Sequence, residues 1–190
     1  MAGKVRLEVS ARHLHLTQEH LEILFGKGAK LNYLRELSIP GQYLCEEKVE
    51  VVGPKSSLRM SVLGPVRPAT QIEISLTDAR SIGVTVPIRE SGVVAGSAGC
   101  TLVGPAGKIE LKEGLIAALR HIHTNPVDAA AFGVKDRDFV SVKVESQGRS
   151  LVFDDVLVRV HESFITTMHI DTDEAHAAFV SGEMYGEVIV

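Results

Sequence analysis

The chain has 190 residues, 45% of them hydrophobic and 23% charged, at a net charge of −4, which is the make-up of one globular domain or two small ones. There is no basic stripe interleaved with aromatics, Trp is absent, and Phe and Tyr number only 6 and 3, so neither an electrostatic nucleic-acid surface nor a base-stacking platform is expected. No apolar run nears the ~20 residues of a membrane span, and Met1-Ala2-Gly3-Lys4 leads straight into a strand pattern with no signal peptide. Cys45 and Cys100 are too few for a disulfide framework and read as reduced thiols.

Residues 5–9 alternate apolar and charged side chains and read as a strand. Arg12-His13-Leu14-His15 follows. On a strand that continues through it, His13 and His15 share one face with Cα atoms roughly 6.7 Å apart, close enough for two imidazoles to converge on one metal ion. Residues 17–26 read as a helix with Thr17 as N-cap, Leu21, Leu24 and Phe25 on one face, and Gly26 and Gly28 as the stop. Pro40-Gly41-Gln42 marks a turn, and residues 47–52 and 58–63 read as strands. The loop 64–70 carries Arg67, a candidate anion clamp, because a guanidinium matches phosphate bidentately. Residues 71–76 read as a strand with Ile72, Ile74 and Leu76 on one face, which puts Glu73 on the other with Gln71 and Ser75. A turn over 77–83 and a short strand over 84–88 are expected next. Residues 91–107, rich in Gly and Ala, read as a loop, either a phosphate cradle or a plain turn, with no Walker pattern.

Residues 109–119 run into a second HxH, Arg120-His121-Ile122-His123, so these two tetrapeptides hold 4 of the 8 histidines. Asn125 as N-cap, Pro126 at the first helical position and Gly133 as the stop define a second helix. Strands are expected over 139–145, 150–153, 156–161 and 187–190, and an acid-headed helix over 171–179 after Met168-His169-Ile170. The two HxH copies align as an internal repeat, each followed by a helix that ends in Phe-Gly (Phe25-Gly26 and Phe132-Gly133) and then by strands. The expected fold is mainly β with short capping helices, two small β-barrels related by that repeat, with the HxH pairs brought near each other across a pseudo-two-fold interface.

Each HxH supplies two nitrogen ligands. One ion held by four histidines, or two ions each needing a third ligand, satisfies the pattern. His169 is a better third ligand than His20 or His161, since His20 lies in a charged helical pattern; Glu73 reads either as a solvated residue or as a ligand. A set of two histidines plus one further ligand leaves open positions, the catalytic rather than the structural type. A cupin-like oxygenase or isomerase, from the spacing His13-x-His15-x3-Glu19, and a non-catalytic metal-stabilised binding module are the alternatives.

Four separated motifs carry a resemblance: Ser10 to Leu16, Gly64 to Ser75, Arg120 to His123, and Met168 to Ala175. Together, over nearly the whole chain, they resemble the PduL-type phosphotransacylases, or phosphate propanoyltransferases. The resemblance implies reversible transfer of a short acyl group between coenzyme A and phosphate. It implies two Zn2+ ions, one held by His13, His15 and Glu73, the other by His121, His123 and His169, with Arg67 binding phosphate and Ser10 lining the site. It also implies interleaved domains, 1–11 plus 120–190 and 12–119, a homodimer, and coenzyme A, acyl-CoA and phosphate as partners, to which the composition adds the expectation of no nucleic acid and no membrane. His176 stands where the family has Asn and is expected to line the site or be neutral. The amphipathic N-terminal extension of some members is missing here, which points to a truncated chain, to the cytoplasm or to another route into a bacterial microcompartment.

Overall fold

Alternating apolar and polar side chains organise most of this chain, because a strand in a small closed sheet has one face in the core and one face out. A computed structural model describes residues 3–190; Met1 and Ala2, which begin the expected direct run into the first strand, lie outside the described residues. In chain order the elements are β1 (Lys4–Val9), β2 (His13–His15), α1 (Gln18–Phe25), β3 (Tyr33–Glu36), β4 (Tyr43–Val52), β5 (Ser57–Gly64), β6 (Gln71–Glu73), α2 (Leu76–Ile82) and β7 (Ile88–Arg89). They continue with β8 (Ala98–Val103), β9 (Lys108–Ala118), β10 (His121–Thr124), α3 (Pro126–Phe132), β11 (Phe139–Val144), β12 (Leu151–Val160), β13 (Thr167–Ile170), α4 (Thr172–Ala177) and β14 (Tyr185–Ile189). None of these helices is long and apolar enough to cross a membrane.

Two compact units result, Met1–Ser10 with Leu119–Val190, and Ala11–Ala118. In the first, the strands close as β1-β13-β10-β12-β11-β14. In the second, pairing runs β4-β5-β2-β6-β9-β8 and returns to β4, with β3 added on β4 and β7 on β9. The expected mainly β fold of two barrels with short helices is therefore present.

The two rings have one pairing scheme. Each HxH strand lies parallel to one neighbour (β2 to β5, β10 to β12) and antiparallel to the other (β2 to β6, β10 to β13). The strand preceding each HxH in sequence is built into the other unit. β1 runs parallel to β13, and β9 runs parallel to β6. Each unit thus takes its sixth strand from in front of the other's histidine pair.

Each core forms from the residues between the histidines. Leu14 opposes Ile72, and both are buried with Leu21, Leu24, Met60, Leu102 and Leu115. Ile122 opposes Met168, buried with Val5, Val142, Val156 and Ile170. Burying one such side chain contributes about 1.5–3 kcal/mol, so the apolar half of the alternation fixes which way the histidines face.

Several expectations are corrected. Residues 10–12 break the chain between β1 and β2, so His13 and His15 do not continue the first strand. The strand expected over 71–76 ends at Glu73; Ser75 turns the chain by accepting the Asp78 N–H at 3.2 Å and capping α2, which replaces the expected turn. Residues 84–87 form no strand, because the Val84 N–H bonds the Ala79 carbonyl at the helix end. The Gly/Ala-rich stretch contains β8, where Gly99 lies so close to the Leu111 carbonyl that a Cβ would sit 2.3 Å from it. The two expected strands over 150–161 are the single strand β12, bent at Asp155 (φ 53°) opposite a register shift between Val140 and Val142.

Candidate functional site

His13 and His15 leave β2 on the face opposite Leu14, and their rings meet edge to face with centroids 5.3 Å apart. Glu73 stands across from His13 in the antiparallel register of β6, and Gln71 across from His15. Glu73 is 9% exposed, so its solvated reading is overturned. Its Oε1 accepts from Gln71 Nε2 at 2.6 Å and from Ser91 Oγ at 2.8 Å, while Oε2 faces His13 Nε2 at 3.7 Å. Gln71 Oε1 in turn accepts the Gly92 N–H at 2.7 Å, tying the 91–92 turn to the carboxylate.

The imidazoles are held as metal ligands commonly are. His13 Nδ1 lies 2.8 Å from the Ala11 carbonyl and His15 Nδ1 3.2 Å from that of Leu63. A carbonyl only accepts, so each Nδ1 carries a proton and each Nε2 is the atom turned to the site. Burial, followed by the charge of Arg67 and then His13, lowers the pKa of His15 from 6.5 to about 3, so it stays a neutral base. The ligand atoms of His13, His15 and Glu73 all fall within 4.8 Å of one another, a group that can hold one cation. Glu19 of the cupin-like spacing is instead exposed on the first turn of α1 and joins no such group.

β10 repeats the arrangement in the other unit. His121 stands across from His169 on β13, in the register that pairs His13 with Glu73. His121 Nδ1 donates to the Leu119 carbonyl at 2.8 Å, the same step back along the chain as His13 to Ala11. The rings of His121 and His169 stack at 5.3 Å, and His123 meets them edge-on at 4.7 and 5.0 Å. The Nδ1 of His123 is buried without a hydrogen-bond partner, and the ring lies 4.3 Å from Phe164. Burial first, then its histidine neighbours and Arg159, lower the His123 pKa to about 2.

The remaining candidates lie on loops and helices of the two units. Arg67 sits on the loop after Gly64, its N–H bonded to the Leu16 carbonyl (2.8 Å) and its guanidinium to Gln42 Oε1 (3.2 Å), with its charge acting on His15. Ser10 follows β1 and donates its N–H to the Ile170 carbonyl, next to His169 (2.8 Å). His176 is exposed in the last turn of α4, His161 is exposed beside Phe164, and His20 pairs with Thr70 Oγ1 at 2.7 Å. Cys45 and Cys100 are buried thiols whose pKa burial raises to about 12, so neither offers a thiolate. Gln71 and Ser91 were missed by sequence reasoning. Gln71 had a signal, since it lies two residues from Glu73 and so on its face; Ser91, in a loop, had none.

A family model described as phosphate propanoyltransferase matches residues 6–181. A phosphate propanoyltransferase of Thermotoga maritima is 52% identical over 174 residues, covering 91% of this chain and 83% of the relative. One of Lachnoclostridium phytofermentans is 53% identical over 179 residues, covering 93% and 83%. One of Listeria monocytogenes is 46% identical over 186 residues, covering 97% and 87%.

Proposed function

The chain belongs to the phosphate propanoyltransferase family, a family of acyltransferases, and from that premise we propose that it transfers a short acyl group reversibly between coenzyme A and inorganic phosphate at two zinc-binding triads. The observation that carries this reading is the duplicated register, in which each buried HxH strand meets a third donor opposite its first histidine: Glu73 opposite His13, and His169 opposite His121.

The donor chemistry fits the metal. Imidazoles whose Nδ1–H groups are held by carbonyls, one carboxylate aimed by two hydrogen bonds, and a buried, unbonded His123 Nδ1 form polar clusters that are costly to bury unless a cation satisfies them. His13, His15 and Glu73 would hold one ion; His121, His123 and His169 would hold the other. Bound zinc supplies Lewis acidity toward a thiolate sulfur or a developing oxyanion.

Arg67 binds phosphate through its guanidinium and fixes one oxygen for attack on the thioester carbonyl. The new bond joins that oxygen to the acyl carbon and the C–S bond breaks. The electron pair leaves with sulfur, and the proton of the incoming hydrogen phosphate ends on the thiol, so acyl-CoA and phosphate give acyl phosphate and free coenzyme A. No side chain attacks, in keeping with the protonated, buried Cys45 and Cys100. The family resemblance implies Ser10 as a lining residue, His176 as a lining or neutral one, and a homodimer as the working form.

A thiol-release assay with zinc-loaded protein, propanoyl-CoA and phosphate, run also in reverse with acetyl phosphate and coenzyme A, tests the reading. Turnover is expected in both directions, and Arg67→Ala should lower it by about 100-fold or more. Equal, negligible turnover of both proteins refutes the assignment. Rates with acetyl-, propanoyl- and butanoyl-CoA side by side establish the acyl preference. Zinc binding without a coenzyme A-dependent thermal shift would favour a non-catalytic module.

A further inference from the structure

The repeat extends beyond the ligands. Glu73-Ile74-Ser75 leads into α2, and His169-Ile170-Asp171 leads into α4. In both, the third donor is followed two residues later by the helix N-cap, and three residues after the cap by an acid, Asp78 or Glu174. Each acid is taken by the arginine that precedes an HxH pair. Arg12 Nη1 lies 3.0 and 3.3 Å from the Asp78 oxygens, and Arg120 Nε lies 3.0 Å from Glu174 Oε1. The acids differ, the arginine nitrogens differ, and the caps differ, Ser75 in one and Asp171 in the other. The tie is the same.

Its position has a consequence for the triads. β2 pairs with β6, and β10 with β13, through very few residues. Glu73 is the last residue of β6 and His169 the last but one of β13, so each third ligand sits where the chain turns into its helix. Each arginine joins the start of an HxH strand to the first turn of the helix beyond the third ligand, closing a ring around the triad. Arg120 is steadied further by Phe153, whose ring centroid lies 5.4 Å from its guanidinium carbon. We propose that Arg12 and Arg120 are positioning residues, one per triad, that hold Glu73 and His169 in place against the histidine pairs so that each site is formed before its ion arrives. This rests on the triads being the metal sites proposed above.

The test is zinc affinity in competition with a chromophoric chelator, with visible absorption of the cobalt(II)-substituted protein to tell the two donor sets apart. Arg12→Gln is expected to weaken the site of His13, His15 and Glu73 about tenfold and leave the other unchanged. Arg120→Gln should do the reverse, and each Arg→Lys should recover part of the loss. Asp78→Asn should match Arg12→Gln, an independent check if one variant folds poorly. Lys143→Gln, which removes a similar pair with Glu145 (2.8 Å) on an exposed strand residue, should change neither site. Unchanged affinities in both arginine variants, or equal weakening of both sites by either one, overturn the positioning role. Wild-type protein that takes up no zinc overturns the metal reading itself.

Discussion

Acidifying the metal-stripped protein gives a direct measure of how the histidines are held. His15 and His123 have folded pKa values of about 3 and about 2, against an ordinary value of 6.5. Below 6.5 the unfolded chain therefore binds protons that the folded chain refuses. Their contribution to stability is complete above pH 6.5 and is lost as pH falls toward the folded values. Relative to about pH 7, the unfolded state at about pH 5.5 gains about 1.2 kcal/mol from each histidine, or about 2.5 kcal/mol from the two. Asp171 and Glu174, whose pKa values burial raises, act in the opposite sense by relieving a penalty as they take up protons. A comparison of variants cancels that term. Urea denaturation of the chelator-treated wild type and of His15→Asn, whose side-chain amide can still donate to the Leu63 carbonyl, at both pH values isolates His15. The variant should lose about 1.2 kcal/mol less than the wild type on acidification. An identical pH dependence of the two proteins refutes the claim that burial keeps His15 neutral.

Ile122→Ala should cost about 2–5 kcal/mol in the same experiment, because Ile122 is fully buried against Met168 and the barrel cannot collapse into the gap; a cost below about 1 kcal/mol would place it outside a packed core. Gly99→Ala should destabilise by about 1–3 kcal/mol, since its Cβ would meet the carbonyl oxygens of Leu111 and Lys112 at 2.3 and 2.8 Å and backbone cannot yield as a flexible side chain can. A neutral result in thermal unfolding would show that β8 and β9 separate easily there.

Much of the site was visible in the sequence because its signals are local. The HxH spacing puts both rings on one strand face, and Thr17 and Asn125 cap the helices expected of them, while Asp171, expected inside its helix, is the cap of α4. Ser75 was overlooked because Leu76 extends the period-2 pattern of Ile72 and Ile74 by one step, while the Ser75-x-x-Asp78 cap that competes with it went unread. Asp155 was missed for a different reason. A positive φ inside one long strand imitates the gap between two. The ties of Gln71 to Ser91, Arg12 to Asp78 and Arg120 to Glu174 span 20 to 66 positions, and nothing in local composition marks them.

The trading of β1 and β9 bears on ancestry. A chain with only the second repeat, β9 through β14, would own a strand its barrel has no place for and lack the strand that barrel needs. Two such chains would complete each other by swapping leading strands, so a half-length ancestor would be at home as an entwined pair. Fusing two copies end to end reproduces the order of elements seen here, apart from β3 and β7, which only the first copy has. Once fused, the copies are free to diverge residue by residue, and the carboxylate of Glu73 in one and the imidazole of His169 in the other are what that freedom looks like at a single matched position.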